Sequence, residues 1–188
     1  MKRNLPTNAG FTLIETVIVT ALSAIMLVAL SILIYSFNTS YLYEQASSLS
    51  AKSARSVIRE VESLTIPAYR VLQSYTFSGT AYSSSSTVLV LKIPSIDSFG
   101  SIIPNTYDYA VFYTSGTNAF RILEAGTGSS RVSGTLLLSE TISALSFSYN
   151  AGDFTLVSAV TVDVQTSAQS HGHISNDRRR EQLYLRNF

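Results

Sequence analysis

Glu15 is the one charged residue between Arg3 and Glu44, and it sits near the start of an uninterrupted apolar run, Thr16 to Phe37. A carboxylate held in hydrocarbon costs roughly 2.5–3.5 kcal/mol at mid-membrane on insertion scales, so it calls for a specific partner. Four residues upstream is Phe11, preceded by Gly10. An ordinary secretory signal places its cleavage site after the apolar run; here the processing site, Gly10 before Phe11, precedes it. Cutting there removes the basic leader (Lys2, Arg3), keeps the apolar segment and leaves a new ammonium on Phe11. On one helix face that ammonium is within reach of its own Glu15, and a neighbouring chain offers an alternative partner. Pairing offsets the desolvation of both charges when the geometry is good.

Other reactive side chains make weaker patterns. His171-Gly172-His173 could ligate a metal, but only Asp177 lies near and no third ligand stands at a fixed spacing, so a solvated loop is the better reading. Arg178-Arg179-Arg180 with Arg186 is a local basic patch that could touch phosphates; a solvated turn or strand start balanced by Asp177 and Glu181 accounts for it more simply. Gly126-Thr127-Gly128-Ser129-Ser130 lacks the lysine and the following helix of a phosphate loop, and reads as a flexible connector. With no cysteine, thiolate metal sites, disulfides and cysteine nucleophiles are excluded. No Ser/His/Asp or paired-carboxylate arrangement can be assembled, so the expectation is a protein that is not an enzyme and takes no cofactor. A net charge of +1 and 13% charged residues give no global field favouring nucleic acid.

The hexapeptide Gly10-Phe11-Thr12-Leu13-Ile14-Glu15 and the apolar helix after it closely resemble the class III signal of type IV pilins and pseudopilins. The resemblance implies that a prepilin peptidase cuts after Gly10 and methylates Phe11, and that Glu15 pairs with the N-terminus of a neighbouring subunit during filament assembly. It further implies a minor pilin or minor pseudopilin of a type IV pilus or type II secretion-like filament, in its tip or initiation complex. The implied partners are other pilins or pseudopilins, the peptidase, an inner-membrane assembly platform and the membrane; nucleic acid enters if the filament serves competence. The implied place is the inner membrane, then the cell surface. Major pilins of the family often break this helix with a proline midway, whereas Ile32 and its neighbours stand here. Many carry a C-terminal disulfide, which this chain must replace by packing. Alternatives from other classes are a signal-anchored monomeric surface binding protein and a secreted enzyme cut beyond Phe37.

The elements that position Glu15 follow from the pattern. The run is long enough to cross a bilayer, which takes about 20 apolar residues, and the leader charges orient it with the remainder exported. With no proline between Pro6 and Pro67 and no glycine between Gly10 and Gly79, one helix of about 80 Å is expected from Phe11 to Thr65. Pro67 turns Ile66 away from helical geometry. Tyr35, Tyr41 and Tyr43 mark the membrane exit. Beyond them Leu42, Ala46, Leu49, Ala54, Val57, Ile58, Val61 and Leu64 form an amphipathic stripe, with Arg59 and Glu62 as a surface pair.

After Pro67 the period becomes strand-like. Strands are expected at Val71–Phe77, Thr87–Ile93 (ended by Pro94), Tyr107–Tyr113, Ala119–Glu124, Leu136–Leu138, Ile142–Tyr149, Phe154–Val164 and Leu183–Arg186. Loops fall at Ser95–Thr106 and Ala125–Gly134, turns at Thr114–Asn118 and Asn150–Asp153, and a polar, mobile tail at Gln165–Arg180. The chain thus divides into a leader (1–10), an assembly helix (11–66) and an exported β-rich domain (67–188) of α+β class, with the antiparallel sheet packed on the helix.

Overall fold

A computed structural model describes residues 12–186. One long helix, α1 (Leu13–Thr65), precedes ten strands in antiparallel sheets, so the class is α+β as expected. The chain divides into two compact units, with the boundary in α1 between Leu42 and Tyr43.

In the first unit every side chain from Leu13 to Phe37 is exposed, the large apolar ones from Leu13 through Phe37 included. Its most apolar 18-residue window has a mean hydropathy of 2.8. Three hydroxyls in this stretch turn inward: Thr16 Oγ1 donates to the Leu13 carbonyl, Thr20 to Thr16 and Ser31 to Leu27. Such back-bonding leaves those donors satisfied without water, as a lipid environment demands.

In the second unit Ala46, Ser50, Ala54, Val57, Ile58, Val61, Leu64 and Thr65 of α1 are buried. Their three- and four-residue steps are those of one helix face. Leu49, expected in this stripe, is 45% exposed, and the neighbouring Ser50 takes the inward place. Ser50 belongs there because it bonds the strand Ala159–Ser170: its Oγ is 2.7 Å from Thr166 Oγ1, which in turn donates to the Ser50 carbonyl at 3.0 Å. The expected Arg59–Glu62 pair gives way to Arg121 Nη1 donating to Glu60 Oε1, a tie from α1 to the sheet.

A five-stranded sheet has the order β1-β4-β5-β6-β7, made from Arg70–Val71, Leu89–Ile96, Ile102–Ser115, Asn118–Glu124 and Gly134–Ser139. A three-stranded sheet has the order β10-β9-β8, from His173–Tyr184, Ala159–Ser170 and Ile142–Tyr149. Both sheets share one core with α1, in which Leu91 and Phe112 from the first and Phe147, Val162 and Leu183 from the second pack with Val57 and Val61. The Ile142 and Phe147 amides join the sheets by donating to the Thr117 and Ser86 carbonyls.

Several strand expectations need correction. Val71–Phe77 is not one strand: β2 (Ser74–Phe77) turns through Ser78 and Gly79, at φ 46° and 89°, into β3 (Thr80–Ser83). Pro94 does not end β4, which runs to Ile96 through a register shift that tolerates the missing N–H. Ser95–Thr106 is largely strand, disguised by Pro104 and by Asn105 at φ 57°. The hairpin turn between β5 and β6 is shorter than Thr114–Asn118, since Ser115 already pairs with Asn118. Phe154–Leu156 is a 3-10 turn before β9.

The largest correction is the tail. Gln165–Arg180 forms most of the β9–β10 hairpin, twelve residues per arm, turning through His171 and Gly172. Its inward residues are small or polar, Thr166, Ala168 and Ser175, so hydrophobicity does not reveal the face that alternation buries.

Candidate functional site

The start of α1 is built from Thr12 and Glu15. Thr12 stands just before the first helical residue, and its Oγ1 accepts from the Glu15 amide at 3.3 Å. Glu15 Oε2 in turn accepts from the Thr12 amide and from Thr12 Oγ1, each at 3.0 Å. This is a reciprocal capping box, Thr-x-x-Glu, which satisfies helix-end amides that have no carbonyl partner. Thr12-Leu13-Ile14-Glu15 carries that spacing openly, and the sequence reading, intent on the charge of Glu15, passed over it.

The carboxylate therefore has intrachain partners on one oxygen. Its Oε1 receives no hydrogen bond among the described residues. A negative charge in the first helical turn also interacts favourably with the helix dipole. So the sequence-predicted residue is oriented by the fold at its own helix end through Oε2. Gly10 and Phe11, the processing and methylation residues, lie outside the described residues.

Residues 5–31 match the family model of the prokaryotic N-terminal methylation motif. The chain carries a type IV prepilin-like signal. The match spans Gly10, Phe11 and Glu15 and continues into the apolar part of α1. No curated protein and no solved structure matches this chain. The motif and the apolar helix fit a membrane-anchored, pilin-like protein with an exported domain.

The other candidates of this pilin-like chain fall into structural places. His171 occupies the β9–β10 turn at φ 47°, its Nδ1 3.3 Å from Ser170 Oγ, and His173 opens β10. Among the described residues no group of three or more His, Cys, Asp or Glu could hold a metal. Arg178 pairs with Asp163 at 2.5 Å and Arg179 with Asp177 at 3.1 Å, so the basic run lies on β10 rather than in a turn.

Gly126–Ser130 is not a flexible connector. The Gly126 amide, Ser129 Oγ, Ser95 Oγ and Arg131 Nη1 all donate to the Asp108 carboxylate, at 2.7, 2.9, 2.6 and 2.6 Å. Asp108 is fully buried. Burial alone would raise its carboxyl, but the bonds from Ser95, Gly126, Arg131 and Ser129 outweigh it and hold the group below its ordinary value. Nothing in the residue types flagged Asp108, because its four partners come from two separate segments, Ser95 on β4 and Gly126, Ser129 and Arg131 in the loop after β6.

Proposed function

We propose that this chain is a minor pilin or minor pseudopilin, a structural subunit of a type IV pilus or type II secretion-like filament. On this reading a prepilin peptidase cuts the Gly10–Phe11 bond, hydrolysing it to a free carboxylate on the leader and an ammonium on Phe11, which is then N-methylated. The mature protein waits in the inner membrane and enters the filament with help from the assembly platform.

Glu15 carries the reading. It is the lone charge on the stretch Leu13 to Phe37 of α1, whose apolar residues are exposed on every side, which suits a segment that exchanges lipid for the same segment of neighbouring subunits. Its Oε1, which accepts no bond among the described residues, supplies an acceptor for the Phe11 ammonium of a neighbour, which fixes axial register in a core otherwise free to slide. The absence of proline between Pro6 and Pro67 favours a minor over a major subunit, and with it a tip or initiation role.

Mass spectrometry of the mature N-terminus, with the matching peptidase co-expressed, tests the proposal. A methylated Phe11 is expected. A retained Met1 would make the chain a signal-anchored surface protein, and a start beyond Phe37 a secreted one; either result defeats the filament reading.

A further inference from the structure

Arg70 on β1 and Lys92 on β4 are directly opposite each other in the sheet register. Like charges in that relation repel. Neither has an ion-pair partner among the described residues, and Arg70 Nε is buried with no hydrogen bond. Two tyrosines close the corner. Lys92 Nζ lies 3.7 Å from the centre of the Tyr107 ring and 5.7 Å from that of Tyr69, and the Arg70 guanidinium carbon is 5.9 Å from Tyr69. Tyr69 remains 42% exposed. Burial, then the charge of Arg70, pulls the Lys92 ammonium below its ordinary value, as expected of a cation lacking its counter-charge.

Arg70 also lines a groove of about 420 Å³ along the free edge of β1, with Gln73, Ser74, Asp153, Phe154 and Thr155. That size suits a small ligand. Its polar groups differ in kind from one end to the other: the Arg70 guanidinium at one corner, with Lys92 opposite it on the neighbouring strand, then amide, hydroxyl and carboxylate groups beyond it. Asp153 Oδ1 is occupied by the Thr155 amide and hydroxyl. Across the sheet, Glu124 follows Lys92 and Tyr109 in the same row.

We propose that this corner binds an acidic sugar, a hydroxyl-rich ring bearing one carboxylate. The guanidinium and ammonium take the carboxylate, for which the planar fork of arginine is well matched. The exposed face of Tyr69 lies under the C–H face of the ring, and Gln73, Ser74, Asp153 and Thr155 meet its hydroxyls. A phosphodiester chain, charged at every residue, would run its further charges onto Asp153 or Glu124. A polyacidic peptide, likewise charged at every residue, would meet the same carboxylates. The site is independent of processing and assembly at Glu15.

Calorimetric titration of the full chain in detergent micelles tests this, with four probes: a glucuronate-containing oligosaccharide, its neutral glucose counterpart, a pentaglutamate peptide and a short oligothymidylate. The acidic sugar alone should bind saturably. Arg70→Gln and Lys92→Gln should each weaken it by about tenfold or more, the effect of losing a charge-assisted bond. Arg55→Gln, which removes an exposed charge elsewhere, should leave binding unchanged. No binding, equal binding of the peptide or the oligothymidylate, or retention of binding in both variants would each overturn the proposal.

Discussion

Arg131 Nη1 donates to the buried Asp108 carboxylate across 2.6 Å and also to the Pro94 carbonyl at 2.8 Å, so one guanidinium fastens the β6–β7 loop to β4 and β5. A charge at 0% exposure is tolerable because Ser95, Ser129 and the Gly126 amide complete its coordination. Asp108→Asn would turn amide hydrogens toward donors and leave Arg131 without its anion. Breaking a buried pair in this way costs about 3 kcal/mol, to be read as a lower melting temperature of the exported domain, with an intact Arg131→Lys variant expected to fall between.

The same carboxylate sets an acid limit. Its folded-state value lies below the unfolded one of about 3.9. The stability it contributes is therefore present above that unfolded value and is lost as pH falls through the folded one. Denaturant midpoints measured from pH 6 down to about 2 should fall more steeply for the natural protein than for Asp108→Asn; parallel curves would remove Asp108 from the account.

Gly126 is required for space rather than for backbone conformation. A Cβ there would meet the Tyr107 carbonyl at 2.6 Å, Ser95 Oγ at 2.8 Å and Thr106 Cγ2 at 2.8 Å. Gly126→Ala should destabilise by about 2 kcal/mol, within the range for overpacking. Gly116→Ala supplies a contrast, since its Cβ meets nothing within 4 Å while its φ of 61° adds strain.

Glu15 has two separable duties, the cap and the charge. Glu15→Gln keeps an acceptor for Thr12 and drops the charge, whereas Thr12→Val removes the hydroxyl of the capping box and leaves the carboxylate. Membrane insertion should persist in both, as it should in Glu15→Ala and Glu15→Val. Filament incorporation, measured on sheared or pulled-out filaments, should fall in all three Glu15 variants and be largely retained in Thr12→Val. Normal incorporation of Glu15→Gln would strip the charge of its role.

Tyr149 predicts an alkaline limit. Its hydroxyl is 2.9 Å from the carbonyls of Ser85 and Val88, and burial pushes its phenol up to about 12. With the folded value raised above the unfolded value of about 10, stability is full below pH 10 and declines as pH rises toward 12. Tyr149→Phe should lose about 1 kcal/mol at neutral pH and flatten the alkaline decline in unfolding midpoints.

The N-terminal helix, its membrane-length run, the processing motif and Glu15 were legible because each is a local property. Charge, hydropathy and helical period depend on neighbours within a few positions, and so did most strands with strong alternation, such as Ile142–Tyr149. Even the capping box was written in Thr12 and Glu15. What tertiary structure decided was long-range. Ser50 faces inward in place of Leu49 because Thr166, 116 residues later, receives it. The polar stretch from Gln165 becomes the longest hairpin because small residues on one of its faces can lie close to other small ones, a complementarity hydropathy does not register. Asp108 and the Arg70–Lys92 corner arise only when strands and loops distant in the chain converge, since the energy of a buried or unpaired charge is set by what surrounds it and not by its sequence neighbours.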